Sequence, residues 1–389
     1  MKPLSFITET FRESVIREMT RICDAVHGSN LAQGFPDFEA PAELKQAAID
    51  AIRSDFNQYP VTFGEPELRE AIAKKALDYN HIACDSQSEI TVTCGATEAM
   101  IATLKALINP GDEIIIFEPF YENYGPDGIL SGATPRYITL TPPDWSFSIG
   151  ELEAAFTTKT KAIVINTPNN PTGKVFSHSE LEVIAALCQK WDVYAVTDEI
   201  YEHIVYDGLK HVSIASLPGM EDRTITINSV SKTYSVTGWR VGWAIAHKDI
   251  TARIRKVHDF LTVGAPTPLQ HAAVIAFNFP PTYYKSLYDR YVQCRSMLLD
   301  ILRKAGFNPY TPRGAYYIIT DISGIMAKMN CNDDFDFCRK LIEYTGVASV
   351  PGSSFYSVPS RGKNQARFCF CKRFKTLLKV SHQLGRLIT

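Results

Sequence analysis

Five short runs constrain this chain more than any other feature: DEIIIFEP from Asp112, KAIVINTP from Lys161, VYAVTDE from Val193, TITINS from Thr224 and VGWAIA from Val241. They are short and rich in Ile and Val, most are apolar at consecutive positions, and most are bounded by Pro, Gly or Asn. Such runs suit strands buried on both faces, and therefore a mainly parallel central sheet between helix layers. A further run, EITVTCG (Glu89 to Gly95), leads into a helix predicted to end near Asn109-Pro110-Gly111. The fold class is α/β.

From Pro281 the pattern changes. A long helix rich in Tyr, Leu and Arg is predicted to end near Gly306, and AYYIITDIS, a helix around Asp333 to Tyr344, VASVPG, a strand ARFCFC from Ala366 and a last helix follow. That order predicts a smaller α+β unit, joined by residues before Pro41. The expected division is residues 1–40 as an N-terminal arm and part of the small unit, 41–285 as the large unit, and 286–389 as the small C-terminal unit. No repeat or low-complexity tract interrupts this plan, and the loop from Ser357 to Asn364 is the segment expected to be most mobile.

Composition removes several function classes. With 40 basic and 42 acidic residues the formal charge is −2, which offers no general attraction to nucleic acid or to anionic lipid. No apolar run approaches a membrane span. The nine cysteines are scattered, odd in number and without a CxxC pair, so reduced and mostly buried thiols are expected rather than disulfides or a zinc site. The opening MKPLSFITETFRESV lacks the features of a secretory or transit peptide, and a cytoplasmic protein is expected. The nine histidines show no metal-ligand spacing, and no metal is expected.

Open α/β sheets bind ligands beyond the carboxyl ends of their strands, and four unusual groups of residues fall there. In CGATEAM (Cys94 to Met100) a strand ends at small residues and Thr97 opens a helix, which reads either as a phosphate cradle or as an ordinary N-cap. In NTPNNPTGKVF (Asn166 to Phe176) the Asn/Pro/Gly turn needs no function, yet Asn170 could donate a hydrogen bond into a cleft. In TDEIYEH (Thr197 to His203) Asp198 is expected to be partly buried and to need a cation, with Tyr201 near it, whereas Glu199 is the better candidate for a strand end that simply reaches solvent. In SVSKTYSVTGWR, Ser229, Ser231 and Lys232 lie at a strand end and Arg240 returns the chain to the sheet. A lone lysine is usually a solvated charge. Here the four groups together offer an amine, a carboxylate, hydrogen-bond donors and a phosphate cup, the set that an aldehyde cofactor with a phosphate and a pyridine nitrogen requires.

At these residues the sequence resembles the class I/II aminotransferases, pyridoxal-phosphate enzymes of fold type I. The likeness runs through LAQGFPDFEAP, NQYPVTFGEPELREAI, EPFYENY, NNPTG, TDEIY, SVSKTYSVTGWRVG and RGAYYIITD. The resemblance implies that residues 41–285 bind pyridoxal 5'-phosphate, with Lys232 forming the Schiff base and moving the substrate proton. It implies that Asp198 pairs with the pyridine nitrogen, that Asn170 and Tyr201 bond the ring oxygen, and that Tyr121 stacks on the ring. Gly95, Ala96, Thr97, Ser229, Ser231 and Arg240 are implied at the phosphate. Arg367 matches the arginine that takes the substrate α-carboxylate, with Gly34 beside it, and Tyr59 matches a tyrosine that reaches the phosphate of a neighbouring subunit, which requires a homodimer. Without the resemblance Arg367 would read as a surface charge and Tyr121 equally well as core.

The resemblance further implies amino transfer between an amino acid and a 2-oxo acid. A cysteine-S-conjugate β-lyase would use the same residues, and a non-catalytic regulator on this fold would carry an additional DNA-binding module that is not evident here. Some relatives that act on aspartate carry a lysine where this chain has Thr97. The QGFPDF, QYPVTFGEPELREAI and EPFYENY stretches look closer to the kynurenine and glutamine transaminase branch, so neutral or aromatic amino acids are the expected donors, with aspartate possible.

Overall fold

The apolar runs become strands, and their pairing decides where the polar residues at their ends finish. In the computed structural model, which describes residues 2–387, the strands in chain order are β1 (Ser29–Asn30), β2 (Ile90–Thr93), β3 (Glu113–Glu118), β4 (Thr134–Thr139), β5 (Thr160–Asn166), β6 (Tyr194–Asp198), β7 (Thr224–Ser229), β8 (Gly242–Ile245), β9 (Asn308–Pro309), β10 (Tyr317–Asp321), β11 (Val347–Ala348), β12 (Val350–Pro351) and β13 (Gln365–Cys369). Seven form the central sheet, in the order β2-β8-β7-β6-β5-β3-β4. The pairs within β7-β6-β5-β3-β4 are parallel, and β8 runs antiparallel to both β7 and β2. The segment from β7 to β8 is built of turns rather than a crossover helix, so the chain comes back in the opposite direction.

Strands β3 and β7 are buried at every position, because helices cover both sheet faces. Ile114 and Ile116 of β3 pack with Val164, Val196, Ile225 and the helices Ala96–Leu107 and Lys248–Thr262. Ile115 and Phe117 point the other way, toward Ile163 and the helix His178–Trp191, as the two-residue repeat of a strand requires. That last helix opens with a capping box between Ser177 and Glu180. Strand β4 was not legible as an apolar run because half-exposed and exposed residues fill most of this edge strand, and Pro135 is tolerated there.

Register then sets the site. Asn166 at the end of β5 lies opposite Asp198 at the end of β6, which continues to Ile227 in β7. Ser229 at the end of β7 lies opposite Gly242, which also faces Thr93 at the end of β2. The carboxyl ends of four strands thus share one edge, and the helix Ala96–Leu107 begins there.

The second sheet, β12-β13-β10-β9, is antiparallel and packs with the helices Pro281–Lys304, Asp334–Thr345 and Phe374–Leu384. The N-terminal segment joins this part: β1 pairs with β11, and the helix Val15–Ala25 packs against Asp334–Thr345. Position 285 falls inside the continuous helix Pro281–Lys304, and one buried apolar cluster holds both Ile163 of the large sheet and Phe368 of the small one. The loop Ser357 to Asn364, expected to be mobile, is tied down at Glu118: that buried carboxylate accepts from the Ser357 N–H at 2.7 Å and from the Arg361 guanidinium.

Gly242 leaves no room for a side chain where β8 passes the turn before the helix Ala96–Leu107. A Cβ there would lie 2.6 Å from the backbone of Gly95 and of Ala96, whereas a Cβ on Gly238 would meet nothing within 4 Å. Gly242→Ala is therefore expected to lower the urea midpoint by the equivalent of about 1–3 kcal/mol, with Gly238→Ala as the control that leaves it in place. Equal midpoints for the two variants would show that the turn yields freely.

Candidate active site

The edge where the strands end opens into a cleft of about 400 Å³ between the two sheets. Lys232, just beyond β7, lies on its wall beside Asp198, Ser229 and Ser231. Ala96, Thr97 and Arg240 close one end. Gly34, Tyr121, Asn170, Tyr201 and Arg367 complete the group. Gly95 stands directly behind: its φ is +80°, and a Cβ on it would fall 2.1 Å from Nη2 of Arg240, so only glycine leaves room for that guanidinium. Tyr59 is not brought to the cleft. It is 84% exposed, in a separate shallow pocket with Phe56, Gln58 and Thr267.

Two guanidinium groups at the strand ends of the cleft, Arg367 and Arg240, lack an acid. Arg367 is fully buried on β13, donates from Nη1 to Asn170 Oδ1 at 2.8 Å and from Nη2 to the Ala32 carbonyl at 2.6 Å, and leaves Nε without a partner. Its guanidinium lies 4.3 Å from the ring centroid of Tyr317. Arg240 donates to the carbonyls of Thr237 at 2.9 Å and Cys94 at 3.3 Å. Neither forms an ion pair among the described residues. Buried positive charge without a carboxylate is costly, and it marks places where an anionic ligand belongs. Because Arg367 occupies Oδ1 of Asn170, the Asn170 amide N–H groups are the part left to donate into the cleft.

Residues 26–378 fit the family model described as aminotransferase class I and II. The chain belongs to that family. Kynurenine–oxoglutarate transaminase 1 of Homo sapiens is 38% identical over 386 residues, covering 92% of each chain. Methionine aminotransferase of Escherichia coli is 34% identical over 374 residues and covers 96% of both. Among solved structures, N-succinyldiaminopimelate aminotransferase of Mycobacterium tuberculosis superposes with a TM-score of 0.94 at 34% identity, over 99% of this chain and all of that one. The chain is thus an enzyme that transfers amino groups, on the fold type I scaffold.

In this aminotransferase the site's electrostatics follow from burial. The Lys232 ammonium is pulled down to about 8, chiefly by loss of solvent, with Asp198 opposing the shift and Arg240 and Arg367 adding to it. The Asp198 carboxyl is pushed up to about 6 by burial, while the Tyr124 hydroxyl and the Ile200 N–H favour its ionised form. Tyr124 donates to Asp198 Oδ2 at 2.7 Å, and Asn166 Nδ2 donates to the Asp198 carbonyl at 3.0 Å. Burial holds the Tyr201 hydroxyl well above its ordinary value, 3.0 Å from the hydroxyl of Tyr317.

Three partners escaped the sequence reading. Tyr124 lies within EPFYENY, and the turn that leads into its helix, closed by the Tyr124 N–H donating to the Tyr121 carbonyl at 3.2 Å, leaves the two rings 5.7 Å apart and edge-on. Tyr317 follows Tyr316 in RGAYYIITD and nothing local separates their roles: both rings stand edge-on to Tyr201, Tyr316 donates to the Gly34 carbonyl at 2.8 Å, and only Tyr317 lines the cleft. Lys372 is buried and donates to the Phe35 carbonyl at 2.9 Å, which holds the Gln33 to Phe35 turn at the cleft. Glu199 corrects an expectation. It does not reach solvent but is fully buried, bonded by Thr197 at 2.9 Å, Ser213 at 2.7 Å and the His211 ring at 2.8 Å, because the chain beyond β6 folds back over it.

The raised Asp198 value has a sign that can be measured. A carboxyl whose folded-state pKa lies above its unfolded one contributes stability that is complete below about pH 4 and is lost as pH rises through about 6. In protein stripped of small molecules, Asp198→Asn is expected to be more stable than wild type above pH 6, by up to ~3 kcal/mol, with the gap closing toward pH 4. A variant no more stable than wild type at pH 7.5 would contradict the assigned burial cost.

Proposed function

We propose that the enzyme moves an amino group between an L-amino acid with a neutral or aromatic side chain and a 2-oxo acid, with pyridoxal 5'-phosphate held in the cleft around Lys232. The observation that carries this reading is Arg367: a fully buried guanidinium with an unpaired Nε and no acid partner, in the same cleft as a lysine of lowered pKa. An α-carboxylate supplies the missing charge by a bidentate pair.

The residues present fit the cofactor. The acid-free Arg240, whose guanidinium Gly95 makes room for, the Ser229 and Ser231 hydroxyls and the start of the helix at Ala96 and Thr97 suit a phosphate dianion. Asp198 suits a ring N–H, the free amide of Asn170 and the hydroxyl of Tyr201 suit the ring oxygen, and Tyr121 suits the ring face. When bound, the cofactor supplies an aldehyde and an electron-poor ring that stabilises negative charge on the substrate Cα.

The chain's own groups do the rest. Arg367 fixes the substrate by its carboxylate, with the Gly34 turn beside it, and so limits which Cα bond can break. A lysine with a pKa near 8 holds a substantial neutral fraction near neutral pH, so Nζ of Lys232 can take a proton from Cα and return it elsewhere. Asp198, ionised above about pH 6, anchors positive charge at the sheet end. Phe11, Ile16, Phe35 and Met100 give the cleft an apolar side that suits a neutral or aromatic side chain and keeps water away. The names of the human kynurenine–oxoglutarate and bacterial methionine enzymes support that choice.

The fold division proposed with this reading places the cofactor on residues 41–285, with 286–389 and the N-terminal arm closing over it. A homodimer is part of the proposal. Tyr59 and Phe260 are 84% and 92% exposed, and their segments adjoin: Thr267 donates to the Gln58 carbonyl at 2.6 Å, and Val61, Leu261 and Val263 widen the exposed apolar face. Phe260→Asp is expected to shift the sedimenting species from dimer to monomer; a wild-type protein that sediments as a monomer at micromolar concentration sinks the dimer.

The functional test is transfer of ¹⁵N from single amino acids to a 2-oxo acid. Phenylalanine, methionine and glutamine are expected to outrank aspartate, Lys232→Ala to abolish transfer, and Arg367→Ala to lower kcat/KM by about a hundredfold or more. A strong preference for aspartate, or undiminished transfer by the Lys232 variant, would overturn the reading.

A further inference from the structure

A cleft that serves amino transfer receives two substrates in turn, and its charges exceed what a neutral donor needs. Its wall carries Arg12, Arg17, Lys232, Arg240 and Arg367 against only two carboxylates, Glu122 and Asp198, in a chain whose formal charge is −2. On the reading above, Arg240 meets the phosphate, Arg367 meets the α-carboxylate and Asp198 sits beside Lys232. Arg12 and Arg17 have no assignment.

The local acids are already engaged. Glu13 pairs with Arg21 at 2.6 Å, Glu18 pairs with Arg339 at 2.8 Å, and Glu122 accepts from the Ser14 hydroxyl. Among the described residues the side chains of Arg12 and Arg17 make no hydrogen bond or ion pair. Both come from the N-terminal segment, Arg12 ahead of the N-cap Ser14 and Arg17 in the first turn of the helix Val15–Ala25. A guanidinium left free beside three engaged acids, on the wall of a substrate cleft, is placed for an anion that arrives with the substrate.

We propose that Arg12 and Arg17 form the subsite for the distal carboxylate of a dicarboxylic 2-oxo acid, the amino acceptor, while the apolar side of the same cleft takes the neutral side chain of the donor. The proposal rests on the aminotransferase reading and adds the acceptor class and the residues that select it. Phe11 and Ile16 flank the two arginines in sequence and line the same cleft, so one segment offers both surfaces, and a side chain of either kind finds a partner without a change of fold.

The test compares the holoenzyme with the Arg12→Gln/Arg17→Gln double variant, with methionine as donor and 2-oxoglutarate or 2-oxohexanoate as acceptor. The ratio of kcat/KM for the dicarboxylate over the monocarboxylate is expected to fall by about tenfold or more in the variant. Glutarate, which cannot react, provides a binding readout: its Kd by calorimetry is expected to weaken by a similar factor, and the wild-type Kd to rise with salt more steeply than that of the variant. Arg12→Lys/Arg17→Lys is expected to recover part of the preference. A ratio and a glutarate Kd within about twofold of wild type in the Gln variant would overturn the subsite. A wild type that transfers to 2-oxohexanoate but not to 2-oxoglutarate overturns the subsite alone, whereas failure with both acceptors overturns the neutral-donor reading on which it rests.

Discussion

Parallel pairing of β5, β6 and β7 is the constraint on which the rest depends. It sends the carboxyl ends of these strands to one edge and places Asn166, Asp198 and Ser229 side by side there. The same burial that makes the strands continuous apolar runs strips water from the groups at their ends. Asp198 and Lys232 are therefore displaced toward each other in pKa, the carboxyl upward and the ammonium downward, before any ligand enters. The antiparallel return of β8 adds Arg240 at that edge and forces Gly242 against the turn at Gly95.

The second requirement is positive charge left uncompensated. Several buried ions are paired: Glu202 with Lys75, Glu199 with the His211 ring, Arg295 with Asp207 at 2.6 Å. Arg367 and Arg69 are the contrast, both fully buried and satisfied only by carbonyl and amide oxygens, and of the two only Arg367 lines the cleft. Lys372 repeats the device in a milder form, its ammonium held by the Phe35 carbonyl. Cations arranged in this way raise the cost of the empty cleft and lower that of the filled one, which is how a folded protein stores selectivity for an anionic ligand.

Much of this was legible in the residues. Consecutive apolar positions announced β3, β5 and β6, the short Ile-bearing TITINS announced β7, and the change of pattern at Pro281 announced the long helix that begins there. The motif residues Asn170, Asp198, Tyr201, Lys232 and Arg240 could be read because they gather at strand ends, where the four groups together offer what no one of them offers alone. Arg367 could be read only through resemblance, since a strand of alternating aromatics and cysteines does not reveal which face is closed. β4 was missed because edge strands lose the apolar signal, and Glu199 was misjudged because the cover over it comes from Ser213 and His211, more than ten residues on. Tyr124 and Tyr317 act through partners distant in sequence, 74 and 116 residues away, and spacing carries no trace of such contacts.

The claim at the centre is that Lys232 is the amine that holds the cofactor. Incubation of the protein with pyridoxal 5'-phosphate, reduction with borohydride and peptide mapping by mass spectrometry test it directly. The account predicts one phosphopyridoxyl group per chain, on Lys232, and its absence when the protein is first incubated with an amino acid it uses as donor. Modification spread over surface lysines, or confined to a lysine other than Lys232, would contradict it.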